Sequence, residues 1–135
     1  MIKKVFKKNI SMLLLLLLLL TGCGTQQTAI SYQQVAADEA MTMMDENTNY
    51  IILDVRTEKE YQQGQIKDAI CVPNESIGSE PVAELPDKDQ MIFVYCRSGN
   101  RSKQAAEKLA EQGYTNIIEF GGIKDWHGEV VSADQ

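Results

Sequence analysis

Cys96-Arg97-Ser98-Gly99-Asn100-Arg101 is the segment of this chain whose residue types can do chemistry together. Met91-Ile92-Phe93-Val94-Tyr95 before it reads as a buried strand, and Ser102 to Gln112 after it reads as a helix. A strand feeding straight into a helix aims the free backbone N–H groups of the first turn at one spot, which suits an anion. A cysteine placed there has a depressed pKa, because the helix N-terminus and nearby cations favour thiolate over thiol. Two of the chain's three arginines, Arg97 and Arg101, flank the same spot. A thiolate inside an anion-binding loop is a nucleophile suited to an anionic substrate. It needs no histidine beside it, since the depressed pKa already supplies the thiolate.

The stretch Cys96 to Ser102 resembles the active-site loop of single-domain rhodanese-like sulfurtransferases. Asp54-Val55-Arg56 after a strand, then Glu60-Tyr61, Gly64-Gln65-Ile66-Lys67-Asp68-Ala69-Ile70 and Pro73, is similar to the first half of that family. Gly121-Gly122-Ile123 followed by Trp126 is similar to its usual ending. The resemblance implies that Cys96 takes sulfane sulfur from a small anionic donor such as thiosulfate, becomes a persulfide, and passes the sulfur to a thiol, cyanide or protein acceptor. It implies no cofactor. Arg97, Arg101 and the loop N–H groups would then hold the donor's anionic end and the leaving sulfite. Gly99 would let the amides turn inward. Ser98, Asn100 and Ser102 are candidates for hydroxyl or amide contacts, with solvent exposure as the competing reading. Asp54 and Arg56 read as an ion-pair brace beside the site or as substrate contacts. Gln65 stands where the family often has a histidine, a position that is not the nucleophile.

Other readings compete. Cysteine phosphatases and arsenate reductases use related loops, with five residues between nucleophile and arginine. Here four residues separate Cys96 from Arg101, and the tighter ring fits a terminal sulfur better than a phosphate. A non-catalytic persulfide carrier or interaction module is a second alternative, and a thiol–disulfide redox protein a third.

The chain opens with Lys3, Lys4, Lys7 and Lys8, followed by Met12 and the unbroken run Leu13 to Leu20. That run is about half of the roughly 20 residues needed to span a bilayer, so it reads as the core of a signal peptide over residues 1–22. Leu20-Thr21-Gly22-Cys23 resembles the bacterial lipoprotein processing signal, which implies that Cys23 carries a lipid and becomes the mature N-terminus. Two acyl chains suffice for stable anchoring. Gly24 to Thr28 then forms a polar tether, and its five residues reach roughly 17 Å when extended. The expectation is a globular domain over residues 29–135, attached to a membrane through its lipid and facing out of the cytoplasm.

Those last 107 positions suffice for one core and not for two. Without the four leading lysines the balance is nine basic against nineteen acidic side chains, a net charge of −10. Such a charge argues against nucleic acid as a partner. Neither Cys71 nor Cys96 has metal-ligand spacing, and His127 is the single histidine, so no metal is expected. Cys71 lies in the apolar run Ala69-Ile70-Cys71-Val72. Outside the cytoplasm it reads either as core packing or as a redox partner of Cys96.

The elements that must position the loop follow from pattern. Ser31-Tyr32-Gln33-Gln34 has the form of a capping box and predicts a helix starting there. Tyr50 to Val55 predicts a strand buried on both faces. A short helix is expected over Glu58 to Gln63, a strand over Ala69 to Val72, and a loop with one helical turn over Asn74 to Gln90. Met91 to Tyr95 is expected as the central strand. Ala105, Ala106, Leu109 and Ala110 stripe the next helix, which Gly113 ends, and Asn116 to Phe120 is the last strand. Alternating strands and helices predict an α/β domain with a central, mainly parallel sheet and helices on both faces. Ligands of such sheets bind at the carboxyl ends of strands, where Cys96 lies.

Overall fold

The computed structural model describes residues 31–132. The expected signal peptide, the lipid-bearing Cys23 and the tether over 23–28 lie outside the described residues. In chain order the elements are β1 (Gln33–Gln34), α1 (Ala37–Glu46), β2 (Tyr50–Asp54), α2 (Glu58–Gln63), β3 (Gln65–Ile66) and β4 (Ile70–Cys71). A 3-10 turn (Asn74–Ser76), β5 (Met91–Cys96), α3 (Asn100–Glu111), β6 (Ile117–Gly122), a second 3-10 turn (Ile123–Asp125) and β7 (Val130–Val131) complete it.

Five strands form one parallel sheet in the order β1-β6-β5-β2-β4. β5 is central and apolar at almost every position because both its faces are covered. Side chains alternate along it. Ile92, Val94 and Cys96 join Leu53, Val55, Ile117 and the α3 residues Ala105, Ala106 and Leu109 in one core. Phe93 and Tyr95 join Ile52, Ile118, Phe120 and the α1 residues Ala40 and Met44 in the other. The chain builds outward from β2 to β4 and then returns to β5 on the other side of β2. That reversal opens a crevice at the carboxyl ends of β2 and β5, the place where ligands bind in open α/β sheets.

The expected helix start at Ser31 is not formed. Gln33 and Gln34 pair with Ile118 and Glu119, and the Val35 N–H donates to the Glu119 carbonyl, so the segment is an edge strand. Backbone groups of β6 would otherwise face the edge unpaired, and this pairing outweighs a local cap. Helix α1 starts instead at Ala37, with Asp38 and Glu39 in its first turn against the positive end of its dipole. The capping box of the domain belongs to α2. The Thr57 hydroxyl accepts from the Glu60 N–H while the Glu60 carboxylate accepts from the Thr57 N–H. β3 and β7 form a separate antiparallel ribbon, Gln65 opposite Val131 and Ile66 opposite Val130.

Candidate active site

Cys96 is the last residue of β5, and Gly99 is the N-cap of α3. Gly99 takes φ +109°, a left-handed conformation that glycine adopts at little cost and that folds the loop back over the sulfur. No side chain caps α3. The orphan N–H groups of its entry turn to Cys96, with the Gly99 N–H donating to Sγ at 3.0 Å. Cys96 is 1% exposed. Burial by itself raises its pKa, but the Ser102 hydroxyl and the N–H groups of Ser102, Gly99 and Ser98 outweigh burial and hold the thiol below its ordinary value. A thiolate here is therefore held by hydrogen bonds and by the helix N-terminus rather than by a neighbouring base.

The loop is closed from the far side by β6. The β5–β6 ladder pairs Val94 with Glu119 but Cys96 with Gly122, so β6 carries one extra residue, a bulge at Gly121 with φ +86°. The bulge brings Gly122 against the loop backbone. A Cβ on Gly122 would stand 2.0 Å from the Arg97 carbonyl oxygen and 2.7 Å from the Ser98 Cα. Only glycine lets the strand approach that closely.

The five other polar residues of the loop separate in space. Arg97 is exposed at the mouth of the cleft beside the loop, Ser98 and Asn100 are exposed, and Ser102 is fully buried against the sulfur. Arg101 is half-buried and turned to α2, where its Nη1 and Nη2 donate to the two oxygens of Glu60 at 2.7 and 2.9 Å. This bidentate pair holds the Glu60 carboxyl down at about 2, with the Arg101 hydrogen bonds as the main cause. Arg101 thus ties the Cys96 loop to the start of α2. A cleft of ≈ 320 Å³ beside the loop is lined by Arg56, Glu60, Gln63, Gly64, Arg97, Ile123 and Lys124.

Asp54 and Arg56 form a buried brace at the end of β2. Arg56 donates from Nε and Nη2 to both Asp54 oxygens and from Nη2 to the Gly64 carbonyl at 2.6 Å. The Tyr95 hydroxyl donates to Asp54 and accepts from the Ile66 N–H at 3.1 Å. Burial, then Asp54, raises the Tyr95 pKa, so it stays a neutral donor. Four elements are joined through this network, on the face of the sheet opposite Cys96.

Cys71 lies in register with Asp54, which lies in register with Tyr95. Two strand spacings put its Cα about 10 Å from β5. A disulfide needs Cα atoms within about 7 Å. In-register neighbours of a parallel sheet share a face, so Cys71 is on the Tyr95 side and Cys96 on the other. Burial, then Asp54 and Glu58, pushes the Cys71 thiol up to about 12. The redox pairing that the sequence left open does not fit this fold, and both cysteines are free.

Sequence reasoning missed Glu119, which is buried in β6 and hydrogen-bonded to Ser102 at 2.6 Å. The signal was present as a lone acid in the apolar run Ile117-Ile118-Glu119-Phe120. Lys124, at the mouth, was also missed.

The model of the rhodanese-like domain matches residues 36–129. The chain belongs to the rhodanese-like family. The thiosulfate sulfurtransferase PspE of Escherichia coli is 40% identical over 73 residues, covering 54% of this chain and 70% of that protein. A sulfurtransferase of Allochromatium vinosum is 33% identical over 105 residues, 76% of this chain and 96% of the relative. A solved rhodanese with anions from E. coli superposes with a TM-score of 0.57 at 38% identity, over 62% of this chain and 99% of its own. A rhodanese-related protein from Thermoplasma volcanium superposes at 0.62 with 28% identity, over 74% and 98%. The expected α/β architecture is that of these rhodanese structures, and the chain is a sulfurtransferase of the rhodanese type.

Proposed function

We propose that Cys96 is the sulfur-carrying nucleophile and that a small anionic compound such as thiosulfate is the donor. The single observation that supports this most is the convergence of the α3 N–H groups and the Ser102 hydroxyl on a buried Sγ. The Cys96 thiolate attacks the outer sulfur of thiosulfate, the S–S bond breaks, and sulfite leaves with the bonding electron pair. The new persulfide has its terminal sulfur inside the ring of N–H donors, which stabilise negative charge there. A nucleophilic acceptor, such as a thiol, cyanide or a protein sulfur carrier, then attacks that terminal sulfur and releases the thiolate. Arg97 and Lys124 at the mouth attract the anions. Arg101 acts from its bidentate anchor on Glu60, and Ser98, Gly99, Asn100 and Ser102 complete the ring, with Asp54 and Arg56 bracing it. The test incubates the protein with thiosulfate and cyanide and measures thiocyanate. Cys96→Ser is expected to abolish turnover, and equal turnover by this variant overturns the assignment.

The domain is placed at the outer side of a bacterial membrane by a lipid on Cys23, on the reading of the basic start, the leucine run and Leu20-Thr21-Gly22-Cys23. Metabolic lipid labelling with fractionation tests this. Cys23→Ser should lose the label, and a labelled, normally cleaved variant overturns it.

A further inference from the structure

Two carboxylates are buried among the described residues, Asp54 and Glu119. Asp54 has the Arg56 guanidinium against it. No ion pair among the described residues involves Glu119. Its Oε1 accepts from the Ser102 hydroxyl at 2.6 Å and from the Gly121 N–H at 2.8 Å, a contact made by the bulge in β6. Ser102 is fully buried, and its Oγ lies 3.4 Å from Cys96 Sγ. A hydroxyl has one proton and can serve one acceptor at a time. The Gly99 and Gly121 carbonyls lie at 3.0 and 3.4 Å from Ser102 Oγ, so the shortest bond assigns that proton to Glu119, and the Cys96 S–H is the donor to Ser102. The result is a directed path, Cys96 S–H to Ser102 O–H to Glu119. Bulk water does not share it, since Cys96 and Glu119 are 1% and 2% exposed.

We propose that Cys96 and Glu119 hold one proton between them and exchange it through the Ser102 hydroxyl. In the transfer the Cys96 S–H bond breaks and its proton bonds to Ser102 Oγ. The proton that Ser102 carried moves to Glu119 Oε1, on the lone pair not used by the Gly121 N–H. The trio keeps a charge of −1, which passes from carboxylate to sulfur. No oxidant, reductant or outside base enters. Ser102 then donates to the thiolate, and Glu119 donates to Ser102. When an acceptor removes the persulfide sulfur, the same path returns the proton. Glu119 is a positioning residue that acts through Ser102, and its role rests on Cys96 being the nucleophile.

The other charges near the trio are accounted for. Arg101 is tied to Glu60, with Glu75 nearby, and Arg97 and Lys124 are at the mouth. Along α3, Lys103 and Glu107 are exposed and Lys108 is bonded to Asn74. Asp54, Tyr95 and Cys71 lie across the sheet, and Arg56, which lines the cleft beside the loop, is paired to Asp54. Glu60 stays ionised down to about pH 2 and adds no acid step above that.

The test follows the rate of Cys96 alkylation by iodoacetamide against pH in the full-length chain in detergent, read on the Cys96 peptide by mass spectrometry. Two coupled groups lose protons in two steps that belong to the pair. The wild type is therefore expected to show two steps separated by a plateau at intermediate pH. Glu119→Gln keeps an acceptor for Ser102 and Gly121 but cannot take the proton, so it should show a single step. Ser102→Ala removes the hydroxyl that couples the two groups by bonding both Cys96 Sγ and Glu119 Oε1, and should also lose the plateau, which keeps the test open if the Gln variant does not fold. A purely structural role would shift melting temperature without changing the number of steps. A wild type with a single step, or two steps retained in both variants, overturns the proposal. Thiocyanate formation by Cys96→Ser would instead overturn the nucleophile assignment beneath it.

Discussion

Gly122→Ala isolates the close approach on which the sulfur-binding loop depends. Gly122 has φ −127°, open to any residue, so backbone strain plays no part and the effect of the new methyl is steric alone. Its Cβ would stand 2.0 Å from the Arg97 oxygen and 2.5 Å from the Arg97 carbonyl carbon. An ordinary contact is about 3.5 Å, so strand or loop must yield by more than about 1 Å. Neither neighbour is a flexible side-chain end. Overpacking of this kind costs about 1–3 kcal/mol. For a domain of this size each kcal/mol lowers Tm by roughly 4–8 °C. The displaced segment carries the Ser98 and Gly99 N–H groups that hold Cys96 Sγ, and losing one such preorganised donor costs on the order of 10²–10³ in kcat. Thermal melts followed by circular dichroism and thiocyanate formation from thiosulfate and cyanide read the two effects. Gly78→Ala is the control, because a Cβ there meets nothing within 4 Å. If Gly122→Ala melts and turns over as the wild type does, the argument that β6 shapes the loop is refuted.

Arg101→Ala should lower kcat/KM for thiosulfate by roughly 10- to 150-fold, the worth of a hydrogen bond to a charged partner at about 1.5–3 kcal/mol, and unchanged kinetics at low salt would remove Arg101 from the site. Arg101→Lys should recover little of this, because an ammonium cannot reproduce the fork that Glu60 grips. Glu60 has a folded pKa of about 2, below its ordinary 4.5, so the stability it contributes is present above pH 4.5 and is lost as pH falls through 2. Urea midpoints between pH 5 and 2 should therefore fall less steeply in Glu60→Gln than in the wild type. Tyr95→Phe leaves the buried Ile66 N–H without its acceptor and should cost about 1–3 kcal/mol, seen as a lower urea midpoint at constant m-value.

Much of the site was legible in the chain because it is local. Cys96, Gly99 and the start of α3 are consecutive, so the turn that gathers N–H groups on sulfur is dictated by residues in contact along the backbone. The apolar runs of β2 and β5 likewise announced a sheet covered on both faces. The capping-box pattern at Ser31 misled because it weighed only local hydrogen bonds, while β6 offered Gln33 and Gln34 a ladder some 85 positions away. β3 and β7 are two residues each, too short for any period to show.

By itself, then, the sequence determined the sulfur-bearing turn, the parallel α/β architecture and the acidic surface, since each depends on composition, periodicity or neighbouring residues. Only the tertiary structure decided the partners. It turned Arg101 to Glu60, put Cys71 across the sheet from Cys96, and set Glu119 behind Ser102. Each of those outcomes depends on strand order and register, and a single bulge at Gly121 changes which side chains meet. Such long-range pairing is settled by the burial of whole faces, which no short window of residues contains.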